Sequence, residues 1–122
     1  MKKFNVQVFT DEHTFNVLIG KKKEVIVEIY KYRPKDTTLK EIEEVVKDSD
    51  GSFWEFDSCP SLVVVNTDDS DYNSQIHTLA HEAVHAAKYI ADHLGIKDKS
   101  GEFMAYSVET IVKAGLSYIK KK

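Results

Sequence analysis

The chain has only one cysteine, two prolines and one tryptophan in 122 residues. A single thiol excludes an internal disulfide, so the fold must rest on a packed core, and a chain of this length is long enough to bury one. Cys59 stands directly before Pro60 with no histidine or second cysteine close by, and reads as a small buried residue. Long apolar runs are missing as well. Nothing approaches the ~20 residues that cross a bilayer, which argues against a membrane role, and the opening MKKFNVQVFTDEHTF alternates where an export signal would be continuous. With the lone cysteine, this predicts a cytoplasmic protein. An excess of positive charge is also lacking. Seventeen Lys+Arg against 20 Asp+Glu give a net charge of -3, which offers no general attraction to nucleic acid or anionic lipid. The basic clusters at Lys21, Lys22 and Lys23 and at residues 120–122 read as a solvated hairpin tip and a fraying terminus.

What is present is the composition of an ordinary globular domain, 42% hydrophobic and 30% charged, without repeat, linker or low-complexity segment. One domain over 1–122 is expected. Segments 4–9 (FNVQVF) and 14–19 (TFNVLI) read as strands around a turn at 10–13, and 24–32 (EVIVEIYKY) as a third strand completing a meander. Thr38 and Glu41 form a capping-box pattern ahead of a helix over 38–48 with Leu39, Ile42, Val45 and Val46 as its apolar positions. Two extended segments flank Cys59-Pro60, SFWEFD and the β-branched SLVVVNTD. A long helix over about 72–94 ends at Gly95, and Ser100 caps a last helix over about 101–119. The fold class predicted is α+β: an antiparallel sheet of three to five strands, with one helix before and two long helices after the last strand.

The stretch TLAHEAVHAA, residues 78–87, carries the chemistry. Positions four apart on a helix differ by about 40° in direction and ~6 Å in height, so the imidazoles of His81 and His85 can converge on one cation. Glu82 is turned about 100° from His81, away from the ligand position and toward a water beside the ion, which suits a general base. His77 and His81 make a second pair by spacing, but Thr78 follows His77 where Glu82 follows His81. His77 therefore reads as a polar residue near the helix start, His13 as a turn residue, and His93 as a residue near the helix C-terminus, where positive charge is favoured. A third ligand is required. The metzincin pattern would need glycine and histidine where Lys88 and Ala91 stand, which leaves glutamates of the last helix, Glu102 and Glu109. In a straight antiparallel helix pair Glu109 would be level with the site.

HEAVH, the helix running on to LGI, and then GEFMAY at 101–106 resemble the small, mostly phage-encoded zincin-like proteins that pair HExxH with a later ExxAY, and more broadly the gluzincins. The resemblance covers about 61–119. It implies zinc held by His81, His85 and Glu102, with Glu82 as catalytic base in a metallopeptidase. It also implies an extended peptide or protein substrate pairing with the strand at 62–66. Tyr106, one turn after Glu102, could donate a hydrogen bond to an oxyanion, although aromatic core packing is the simpler role. The competing expectation is a protein-binding module on the same scaffold, acting on a host protein with a structural or vestigial metal and no turnover. Neither reading fixes the oligomeric state or the substrate.

Overall fold

The computed structural model describes residues 1–8, 14–56, 60–68 and 70–119. The expected turn at 10–13, His13, Cys59 and the basic residues 120–122 lie outside these. Strands β1 (Lys2–Gln7) and β2 (Thr14–Gly20) pair antiparallel, with Phe4 opposite Val17 and Val6 opposite Phe15. Helices α1 (Lys22–Tyr32) and α2 (Leu39–Lys47) follow, then strands β3 (Gly51–Trp54) and β4 (Ser61–Asn66), then helices α3 (Tyr72–Leu94) and α4 (Glu102–Leu116). The architecture is α+β, a four-stranded sheet with two helices on each face.

Segment 24–32 is a helix, not the expected strand. Its apolar residues fit both periods: Val25, Val27 and Ile29 alternate, while Val25, Ile26, Ile29 and Tyr32 form a helical stripe. The helical set is the one that packs, against Leu18, Leu62 and Val64 of the sheet and Ile42 and Val46 of α2, whereas Val27 is 56% exposed. Glu24 secures the start, accepting the Lys21 N–H at 3.2 Å. The lysines at 21–23 therefore open a helix and do not tip a hairpin. In α2 the predicted cap is in place, with Thr38 Oγ1 accepting the Glu41 N–H at 3.2 Å. Only Ile42 and Val46 of its four apolar positions are buried.

The strand order is β1-β2-β4-β3, and β2 and β4 run parallel, so the sheet is mixed and not antiparallel as expected. The parallel pair arises because α1 and α2 carry the chain across one face before it returns through β3. β4 is buried on both faces, Leu62 and Val64 toward α1 and α2, Val63 and Val65 toward α3 and α4. This explains its uninterrupted LVVV run. Because β4 is hydrogen-bonded on both sides, by β2 and β3, it has no free edge for a substrate strand. Among the described residues the free edges belong to β1, which carries Lys2 and Lys3, and to β3, whose Gly51-Ser52-Phe53-Trp54 has neither charge nor proline to discourage pairing.

Helix α3 spans the predicted residues. The Asp71 carboxylate accepts the Ser74 N–H at 2.8 Å at its start, and at its end Gly95 adopts φ 66° while the Ile96 N–H reaches the Ala91 carbonyl at 2.9 Å. Helix α4 starts at Glu102 under the Asp98 carboxylate, which accepts the N–H groups of Phe103 (3.0 Å) and Met104 (2.9 Å). The expected cap, Ser100, makes only a 3.4 Å contact with the Glu102 N–H. Gly115 of α4 lies against Leu79 of α3, which sets the antiparallel register of the two helices. α3 covers β4 and β3, and α4 lies on its other flank, reaching β1 at the opposite edge. No described helix is long and apolar enough to cross a membrane.

Candidate metal centre

His81, Glu82 and His85 each direct a potential ligand atom into one volume, with all of these atoms within 4.8 Å of one another. A tetrahedral zinc ion with bonds of about 2.0–2.2 Å places its ligand atoms closer than this, a gap that side-chain torsions can close. Both imidazoles are exposed, their ring centroids 5.2 Å apart and their planes at 73°. The residue types and this proximity fit a divalent cation of the zinc class.

Glu82 is only 6% exposed. It is buried because α3 approaches the edge strand closely at Gly51, where a side-chain carbon would meet Thr78 Cγ2, and Glu82 Cγ at 3.2 Å. Burial pushes the Glu82 carboxyl above the usual carboxylate range, and the neighbouring His81 and His85 pull it partly back. A buried carboxyl beside two imidazoles is suited to accept and return a proton.

The centre opens onto two clefts along the β3 edge. One, about 390 Å³, is lined by Ser49, Asp50, Gly51, His77, Thr78, His81 and Glu82. Its wall is braced by Asn66, 2% exposed, which donates its Nδ2 to the Ser49 carbonyl and its backbone N–H to the Asp50 carbonyl, both at 2.8 Å. The other, about 400 Å³, lies on the far side of His85 between Phe53, Glu55, Lys88, Tyr89, Asp92 and His93. Helix α3 and strand β3 both run from the first cleft to the second, so the metal centre sits midway along a groove.

Of the residues expected at the site, His81, His85 and Glu82 come together, and Glu102 does not join their group. Glu102 is exposed in the first turn of α4. The Leu79–Gly115 contact makes Glu109, not Glu102, level with His85, and puts Glu102 about 10 Å further along the axis. Height is not the only difference. His81, Glu82 and His85 face β3, whereas α4, which carries the exposed Glu109, packs on the opposite flank of α3. Tyr106 is 55% exposed and is not packed in the core. His77 lines the first cleft, while His93 packs at a tilt of 39° against Tyr89 with centroids 4.6 Å apart.

Gly51, Phe53 and Tyr89 were not singled out by the sequence. Tyr89 had a usable signal, since it continues the four-residue steps of His77, His81 and His85 toward His93. Gly51 has no such signal, because its role depends on a helix packing across it. No family model matches the chain, and neither a curated protein nor a solved structure is similar to it.

Proposed function

We propose that this chain is a zinc-dependent peptidase acting on extended peptides laid along the free edge of β3, in keeping with the cytoplasmic setting expected from its single cysteine. The observation that carries the reading is the convergence of His81, Glu82 and His85 beside an uncharged, unpaired strand edge. His81 and His85 would hold the ion. Zinc, when bound, supplies the Lewis acidity that makes water nucleophilic near neutral pH and polarises a scissile carbonyl. The Glu82 carboxylate takes the proton from the attacking water and returns it to the leaving amine nitrogen, so that the peptide bond breaks without a free charge being released. β3 orients the substrate through backbone hydrogen bonds, and the groove on either side of the centre receives alternate side chains.

A second reading is favoured by the position of α4. With Glu102 and Glu109 on the other flank, Glu82 is the third donor nearest the two imidazoles among the described residues. If Glu82 itself ligates the ion it cannot serve as base, and the protein would be a binding module with a structural metal. One experiment separates the two: metal analysis and peptide-library cleavage for wild type, His81→Ala and Glu82→Gln. The peptidase reading expects Glu82→Gln to keep its zinc and to lose turnover by about 10²–10⁴-fold, and His81→Ala to lose both. Zinc lost from Glu82→Gln, with no cleavage by wild type, would establish the structural-metal alternative, and a wild-type chain that binds no zinc would end both.

A further inference from the structure

We infer that the cleft beyond His85 is a specificity subsite for a basic side chain, arginine or lysine, of the bound peptide. The inference rests on the groove proposed above as a peptide site and names what that groove selects. Three rings follow one another along the cleft: Phe53 and Tyr89 have centroids 5.9 Å apart, and Tyr89 and His93 4.6 Å. Phe53 is in turn seated edge-on against the buried ring of Phe15, 6.2 Å away, so the wall is anchored in the core and does not float on the surface. Such a wall accepts the methylene stem of a long side chain and the face of a cation.

The rim supplies the complementary charge. Glu55 and Asp92 both line the cleft and are exposed, against one lysine, Lys88, and the imidazoles of His85 and His93. An acidic guest would meet two carboxylates, and a short or aliphatic one would leave them without a partner. A guest with an apolar stem and a cationic end satisfies both parts at once. The first cleft differs, with Asp50 and Glu82 but no tyrosine, phenylalanine or tryptophan among its lining residues, so the two ends of the groove are chemically distinct. Tyr89 lies one helical turn, about 6 Å, beyond His85, which places the selected side chain roughly two residues along an extended peptide from the metal centre.

The test is fluorescence anisotropy on the full chain with labelled alanine-based octapeptides that carry one central arginine or one citrulline, which has the same shape without the charge. Measuring with zinc and again with chelator keeps this inference separable from the metal reading, since zinc content is determined independently. The arginine peptide is expected to bind about 5–10-fold more tightly, the range of an exposed ion pair together with a cation–ring contact. Asp92→Asn with Glu55→Gln should abolish the difference while leaving citrulline binding unchanged, and Lys88→Ala should widen it. Equal binding of the two peptides overturns the inference, as does absence of binding by either or a Lys88→Ala change that narrows the preference.

Discussion

Replacing Gly51 by alanine tests the link between the sheet edge and the candidate metal centre. The added methyl would lie 2.6 Å from the Val64 carbonyl oxygen, closer still to Thr78 Cγ2, and 3.2 Å from Glu82 Cγ. The first of these is backbone in the middle of the sheet and cannot swing aside, so α3 must move out from β3 or the strand must shift. Overpacking of this kind costs about 1–3 kcal/mol. At this chain length each kcal/mol corresponds to about 3–5 °C in Tm, so a fall of roughly 3–15 °C is expected in a calorimetric or circular-dichroism melt. Displacement of Glu82 should reduce turnover by more than the lost stability explains, measured well below the melt. Gly115→Ala is the comparison: its methyl would meet Leu79, fully buried between α3 and α4, so stability should fall as well, but with no loss of site function beyond what that fall explains. A Gly51→Ala protein that melts within about 1 °C of wild type would refute the close approach of helix and strand on which Glu82's burial depends.

Three further outcomes follow from the same geometry. If the proposed zinc is bound, Glu102→Ala and Glu109→Ala should each leave zinc content unchanged in metal analysis, because α4 packs on the flank of α3 away from β3 and neither glutamate joins the donor group; zinc lost from either would refute that placement. In the metal-free protein, burial raises the folded-state pKa of Glu82, so its contribution to stability is fully present below the ordinary carboxylate range and is lost as pH rises through the folded value. Denaturant midpoints of wild type should therefore fall relative to the permanently neutral Glu82→Gln as pH rises above the ordinary carboxylate range, and parallel curves would refute the effect of burial. Gly95→Ala should cost about 1 kcal/mol by thermal melt, since φ 66° strains any residue with a side chain although the space there is open, and a neutral result would mean the helix ends differently.

Local signals were the legible ones. Gly95 marks the end of α3 in the sequence because a left-handed terminus is determined by one or two residues, and the four-residue spacing of His81 and His85 brings them together on any helix, whereas the cap at Asp71 stands among several polar residues that could serve. Segment 24–32 was not legible. Its β-branched residues satisfy two periods, and what selects the helix is the second face of the sheet, where Leu18, Leu62 and Val64 need a cover. The parallel pairing of β2 with β4 and the edge position of β3 depend on contacts between distant parts of the chain, which no local pattern encodes. The same holds for α4: ExxAY places Glu102 in a first turn, but which flank of α3 that turn occupies is decided by small and branched residues packing elsewhere, at Leu79 and Gly115 among them.

His81, Glu82 and His85 occupy consecutive turns of one uninterrupted helix, while the groove's second wall comes from β3 and the residues flanking it. The spacing of the two imidazoles is thus inherited from backbone hydrogen bonds alone and tolerates sliding of helix against sheet. The groove has no such insurance: its width is the distance between two separately anchored bodies, and a small tilt of α3 would reshape it before disturbing the donors.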